Sequence, residues 1–253
     1  MFAIQSVIRR TMSGVAGAIA AAGAACPLHA PAPEKMVASV PEQIVYARAG
    51  DDTVQPGVMF VPAKDSAKTV AVVWIHGSGV NFYQPSYVGI GRELAQRGYT
   101  VISANTREAR DIPGWLTFLG QRGLNKVILV GHSAGWTSVR QYSLQRDPRV
   151  VGLVLASGAI QPQTPAADSA TNDFFGFQTR NAGITRVRAR LLAFFGTRGD
   201  VGGTNDLAQL TAAIQRQNLP IQFTAAMIQG GDHMYAGQEA QVADLIARWA
   251  KGI

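Results

Sequence analysis

Cysteine is almost missing from this chain. The one cysteine, Cys26, excludes an intramolecular disulfide. Histidine is nearly as scarce, and His29, His76, His132 and His233 show no paired His or Cys spacing of a metal site. No glycine pattern opens a helix after the first strand in the way a phosphate-binding loop does, which argues against a nucleotide cofactor. Charge is sparse as well. Only 15% of residues are charged while 47% are apolar, a composition that folds around a core and excludes a disordered chain. The net charge of +7 comes from scattered basic residues. The densest group, Arg186, Arg188 and Arg190, runs straight into an apolar strand with no aromatic-studded basic stripe, so it reads as a solvated face and not as a nucleic-acid footprint.

The first thirty residues differ from the remainder. They hold Arg9 and Arg10, no acidic residue, and an Ala/Gly-rich run from Met12 to Ala25. Small-residue cleavage sites follow at Ala22-Gly-Ala24 and Leu28-His-Ala30, before Pro31-Ala-Pro33. That order is expected of an export signal, placing the mature protein in the periplasm or outside the cell. The run is too short and too rich in small residues to span a bilayer as a stable helix. The competing readings are a flexible extension and a cytoplasmic protein. A lipid-attachment reading of Gly23-Ala-Ala-Cys26 lacks the usual leucine three residues before the cysteine.

Residues 31–253 read as one domain of alternating strands and helices. Gln43–Arg48 and Gly57–Pro62 flank turn residues Gly50-Asp-Asp52, as in a hairpin. Thr69–Ile75 is an unbroken apolar run suited to a strand buried on both faces. Further strands are expected at 99–103, 126–130, 150–156, 190–195 and 221–228. Helices are expected at 87–97, 113–122, 133–145, 204–217 and 237–249. Such alternation requires a mostly parallel sheet with helices on both faces. The stretch from Ile160 to about Arg186 is too long for a plain turn and is expected to form a small cap.

The chemistry starts at Val127-Ile-Leu-Val-Gly-His-Ser-Ala-Gly-Trp136. A G-x-S-x-G pattern sits between an apolar strand and a helix with no loop between them, the context that makes Ser133 a candidate nucleophile rather than turn filler. Glycines two residues to either side are required because side chains there would strike the neighbouring helix and strand. A serine hydroxyl needs a base. His29 lies in the leader, His132 is directed away by adjacency, and His76 sits in a glycine-rich loop it is placed to brace. His233, between the last strand and the last helix, remains as the candidate base. A carboxylate must orient it. Asp200, after the strand ending at Phe195, is the candidate, with Asp206 as the alternative, while Asp232 braces the base's own loop. The oxyanion formed on a carbonyl needs two donors. The Ala134 N–H is one; the Ser78 N–H, in His76-Gly-Ser-Gly79, is the candidate second, with Gly77 as the alternative.

Strand-HGSG, strand-GHSAG-helix, an aspartate after the penultimate strand and a histidine after the last resemble the α/β-hydrolase fold over about residues 42–252. The order Ser133, Asp200, His233 is that superfamily's triad order. Asn81-Phe-Tyr83, Ser103-Ala-Asn-Thr106 and Gly231-Asp-His-Met-Tyr235 also resemble a subgroup of small serine esterase-like hydrolases. Two departures stand out. The loop after Thr106 is short, and the acid falls one residue later than the usual G-x-x-D, which would place it at Gly199. The resemblance implies a cofactor-free serine hydrolase, most simply a carboxylesterase on a small-molecule ester. A peptidase or amidase with the same triad, and a non-catalytic binding protein on the same fold, are the alternatives. Trp136, Tyr83 and Phe175 are candidate substrate contacts, beside Phe174, Phe177 and Tyr87; the competing reading is that these rings pack the cap against the sheet. Nothing in the sequence speaks to oligomeric state.

Overall fold

The computed structural model describes residues 40–160, 173–177, 182–218 and 221–253. The expected leader at 1–30, with Cys26 and His29, lies outside the described residues, as do 161–172 and 178–181 of the expected cap. Eight strands form one sheet: β1 Glu42–Arg48, β2 Val54–Phe60, β3 Val70–Ile75, β4 Thr100–Ala104, β5 Lys126–His132, β6 Val150–Ala156, β7 Arg190–Gly196 and β8 Phe223–Ile228. The spatial order is β1-β2-β4-β3-β5-β6-β7-β8. The β1/β2 and β2/β4 pairings are antiparallel. Every pairing from β4 through β3 to β8 is parallel. The five helices of eight residues or more are α1 Pro85–Gln96, α2 Ile112–Gly120, α3 Gly135–Ser143, α4 Thr204–Arg216 and α5 Glu239–Trp249.

The apolar run of β3 shows why the sheet is buried on both sides. Val70, Val72 and Trp74 join the core beneath α1 and α5, while Ala71, Val73 and Ile75 join the core beneath α2, α3 and α4. Successive side chains of a strand point to opposite faces, so an unbroken apolar sequence serves two cores at once. Each Val, Leu or Ile fully removed from water there contributes roughly 1.5–3 kcal/mol. The helices begin where the local chemistry favours it: α1 and α2 each carry a proline in the first turn, where its missing N–H costs no helical bond.

Parallel strands leave their carboxyl ends on one edge. The chain segments following β3, β5, β6, β7 and β8 therefore emerge side by side, and loops at that edge can converge on one site. Gly77 and Ser78 follow β3, Ser133 follows β5, Asp200 follows β7 and His233 follows β8. Among the described residues, no helix is long and apolar enough to cross a membrane.

Candidate active site

The turn after β5 is sharp. Ser133 takes φ +52°, a left-handed conformation uncommon for a side-chain-bearing residue and costing on the order of 1–3 kcal/mol. Its N–H is donated to the Ala156 carbonyl at 2.9 Å, and its own carbonyl accepts the Trp136 N–H at 3.2 Å to start α3. The flanking glycines are steric requirements. A Cβ on Gly131 would come 2.5 Å from Trp136 Cα, and one on Gly135 would come 2.5 Å from the carbonyl oxygens of both Ile75 and His76. The loop after β3 presses on the same spot: a Cβ on Gly77 would lie 2.9 Å from Ser133 Cβ.

Around Ser133, backbone donors are available. Ala134 stands at the N-cap of α3, where a helix has no internal acceptor for its N–H groups. Among the described residues neither the Ala134 N–H nor the Ser78 N–H meets an acceptor. The Gly77 N–H, in contrast, faces the Tyr87 hydroxyl at 3.4 Å. His76 braces its loop, with Nδ1 at 2.8 Å from the Gly77 oxygen and Nε2 at 3.2 Å from Asn105 Oδ1.

His233 and Asp200 are paired, with Nδ1 to Oδ1 at 2.8 Å. The Asp200 side chain is wholly buried, whereas 30% of the His233 side chain is exposed. Four donors converge on the Asp200 carboxylate. Oδ1 accepts from His233 and from the Val201 N–H at 2.7 Å. Oδ2 accepts from the Gly196 N–H at 2.6 Å and from the Ser157 hydroxyl. Asp206 is engaged elsewhere, accepting the Gly203 N–H at 2.9 Å at the start of α4. The loops carrying Asp200 and His233 are stitched together: the Arg198 N–H reaches the Gly231 carbonyl at 2.9 Å and the Gly230 N–H reaches Thr197 Oγ1 at 2.8 Å. Asp232 braces the His233 loop through the N–H groups of Met234 and Ala236 at 3.0 and 3.1 Å. Ser133 Oγ makes no hydrogen bond to His233 in this structure.

A second line of contacts ties the serine turn to the histidine loop. His132 Nε2 lies 2.7 Å from the main-chain oxygen of His233, and its Nδ1 lies 2.8 Å from the Tyr87 hydroxyl. A carbonyl only accepts, so Nε2 carries the proton and Nδ1 accepts from Tyr87. Burial pushes the His132 pKa down to about 4 and that of Tyr87 up to about 12, so both stay neutral near pH 7. Two further residues of this cluster escape a reading of the sequence. Ser157 follows β6 and Tyr235 lies two residues past His233; both are fully buried and their hydroxyls are hydrogen-bonded to each other. The signals in the sequence are slight: Ser157 follows directly on a strand end, and Tyr235 closes the Gly231-Asp-His-Met-Tyr235 motif with no role of its own indicated.

The expected substrate contacts divide. Tyr83 is 48% exposed, with its hydroxyl 3.1 Å from Glu42 Oε2. Of these candidates Trp136 and Phe175 are in the core, packed as the competing reading of these rings expects. Their ring planes lie 7° apart with centroids 5.9 Å apart, and Phe174 packs edge-on against both. Trp136 is drawn inward because it follows the glycine turn on the sheet-facing side of α3. A cavity of about 670 Å³, bordered by Tyr142, Val150, Leu153 and Val187, opens where β6 and β7 begin, at the opposite end of the strands from Ser133. Its distance from the serine excludes it as the place of chemistry. Among the described residues no group of three or more His, Cys, Asp or Glu side chains is arranged to hold a metal ion.

Strand order, direction and the serine turn decide the comparison with known structures. The chain has the α/β-hydrolase fold. It superposes on the esterase domain of a Rhodothermus marinus protein with a TM-score of 0.62 at 17% identity, covering 83% of this chain and 98% of that one. A dienelactone hydrolase from Anabaena variabilis matches with a TM-score of 0.61 at 19% identity, over 83% and 97% of the two chains. A serine hydrolase without a lid from Xanthomonas campestris matches with a TM-score of 0.59 at 14% identity, over 84% and 96%. No model of a known protein family matches the chain, and no curated protein sequence does.

Proposed function

We propose that this α/β-hydrolase-fold chain is a serine hydrolase that cleaves carboxylic esters through an acyl-enzyme, with Ser133 as nucleophile, His233 as base and Asp200 as its orienting acid. One observation carries the proposal: a fully buried carboxylate, saturated with donors, grips Nδ1 of a part-exposed histidine whose main chain is held by His132, the neighbour of a serine at positive φ. A structural ion pair has no need of a solvent-facing imidazole, and an ordinary turn has no need of a strained serine. The named activities of the neighbours, an esterase domain and a dienelactone hydrolase, are in keeping with acyl transfer to water.

In this mechanism His233 Nε2 takes the Ser133 hydroxyl proton as Oγ attacks the ester carbonyl. Asp200 keeps Nδ1 protonated, so Nε2 is the nitrogen free to accept. The Ser133–His233 hydrogen bond forms as substrate enters, since such bonds are often long or misaligned without it. Negative charge on the carbonyl oxygen is received by the N–H groups of Ala134 and Ser78, neither of which meets an acceptor among the described residues. Gly77 is not in this role because its N–H faces Tyr87. Collapse expels the alcohol, protonated by His233; water then enters with the same histidine as base, and the carboxylic acid leaves. Tyr83, part-exposed beyond the loop after β3, is proposed as a substrate contact.

The test is hydrolysis of a p-nitrophenyl ester series of increasing acyl length by the wild type and by Ser133→Ala, with fluorophosphonate labelling alongside. Turnover and labelling that both vanish in a folded Ser133→Ala protein are expected. Undiminished turnover in that variant would overturn the proposal, and turnover of anilide but not ester analogues would move it to an amidase.

A further inference from the structure

Behind Asp200 lie two linked hydroxyl groups that the mechanism above does not use, of which one reaches the carboxylate. Ser157, the residue after β6, is fully buried at φ +49°, its N–H fixed on the Phe194 carbonyl at 3.0 Å. Its Oγ is hydrogen-bonded to Asp200 Oδ2 on one side and to Tyr235 Oη on the other. Tyr235 is also fully buried, at φ +60°. Two side-chain-bearing residues in the left-handed region, linked hydroxyl to hydroxyl behind one carboxylate oxygen, form an arrangement the backbone reaches only at a cost.

The direction of these bonds is fixed by donor counting. A carboxylate only accepts, so the single Ser157 proton goes to Asp200. Ser157 Oγ then has only lone pairs to offer Tyr235, and the phenol must donate. Its other neighbour, the Phe194 carbonyl, stands at 3.5 Å, the edge of hydrogen-bond range. Burial raises the phenol pKa well above its ordinary value, so Tyr235 keeps its proton.

We infer that Tyr235 and Ser157 form a buried, one-way donor chain that fixes the rotation of the Asp200 carboxylate and so sets the angle at which Oδ1 receives the His233 imidazole. This inference rests on the serine-hydrolase reading for its kinetic consequence, but not for its structural one. With Oδ2 pinned by Ser157 and the Gly196 N–H, the carboxylate plane cannot turn without breaking two bonds. Oδ1 is thereby held toward Nδ1 of a part-exposed ring. Ser157 and Tyr235 are positioning residues; neither meets the substrate.

The experiment compares Ser157→Gly, Ser157→Ala and Tyr235→Phe with wild type. It reads kcat and KM for a p-nitrophenyl ester and the low-field proton resonance of His233 Nδ1–H, assigned by its loss in His233→Gln. Glycine relieves the positive φ at 157, whereas alanine retains it, so a backbone role would separate these two variants and a hydroxyl role would not. The expected result is a kcat reduced on the order of 10-fold in both Ser157 variants, the loss of one hydrogen bond to a charged group, with KM unchanged. The Nδ1–H resonance is expected to move upfield in all three variants, Tyr235→Phe included. An unmoved resonance in folded Ser157→Gly and Tyr235→Phe overturns the inference. Because the resonance is read without turnover, the inference is decided even if Ser133→Ala shows that hydrolysis does not use Ser133. Should Ser157→Gly not fold, the isosteric Tyr235→Phe decides it by the same resonance.

Discussion

His132 donates its Nε2–H to the main-chain oxygen of His233 across 2.7 Å. The residue adjoining the serine thus holds the backbone of the histidine loop, and its other nitrogen accepts from Tyr87, whose oxygen faces the Gly77 N–H. The loop after β3, helix α1, the end of β5 and the loop after β8 share one line of neutral hydrogen bonds. In a site assembled from separate strand ends, that line substitutes for a direct covalent or helical connection between Ser133 and His233. It works only while His132 is neutral, because a protonated Nδ1 has no lone pair for the Tyr87 hydroxyl.

From this follows a pH dependence of stability. Burial depresses the folded His132 pKa to about 4, against 6.5 for an exposed histidine. Between these values the unfolded chain binds a proton that the folded chain does not, so stability is intact above about pH 6.5 and falls as pH drops toward 4. The full loss is roughly 3 kcal/mol. Urea unfolding at pH 7 and pH 4.5 should show a smaller loss in His132→Gln than in wild type, with the difference between them confined to that window. An identical pH slope in both proteins would remove His132 as the cause.

Ser133 supplies a second prediction, which sets stability against activity. At φ +52° a glycine is at ease while alanine keeps the steric penalty of its Cβ. Ser133→Gly is therefore expected to be more stable than Ser133→Ala by about 1 kcal/mol in urea melts, although both lack turnover. Equal stabilities would mean that the turn relaxes when the hydroxyl is removed.

How much of this was legible in the sequence depended on the range of the interaction. The parallel sheet was readable because apolar runs such as Val70–Ile75 report burial on both faces locally. The serine turn was readable because Gly131 and Gly135 answer to backbone only a few residues away or on the adjacent strand. The pairing of Asp200 with His233 spans 33 residues, yet the strand order brings it within reach of inference. The pocket was not legible. Trp136 and Phe175 look alike whether they line a cavity or fill one, and only packing distinguishes the two. The roles of Ser157 and Tyr235 were silent, Tyr235 entering only as the end of a motif, because a serine after a strand and a tyrosine in a loop are common residues; their meaning comes from meeting across 78 positions.

The glycine turn gives a third prediction. Gly135 faces two main-chain oxygens, from Ile75 and His76, which cannot swing aside as a side-chain tip would. Gly135→Ala should displace α3 from the end of β3 and cost about 1–3 kcal/mol or more in stability. Gly203, at the start of α4, has nothing within 4 Å of an added Cβ and an extended φ of −150°. Gly203→Ala is the matched control, expected to lie well under half of the Gly135 effect in the same melt.

The last prediction separates the two aspartates after β7. Asp200 is buried under four donors, one of them His233, whereas Asp206 accepts the Gly203 N–H at the head of α4. An asparagine at 200 offers a neutral oxygen or an NH₂ to Nδ1, and in the second orientation it drives the imidazole proton onto the nitrogen that should face Ser133. Under the proposed mechanism Asp200→Asn should cut kcat by orders of magnitude, up to about 10⁴-fold. Asp206→Asn should leave kcat within a factor of about two and cost at most about 1 kcal/mol of stability, since asparagine is still able to accept a backbone N–H there. The two variants therefore move different observables, turnover for one and the melting midpoint for the other. A loss of turnover in Asp206→Asn with none in Asp200→Asn would transfer the orienting role to the residue that the geometry places on the helix cap.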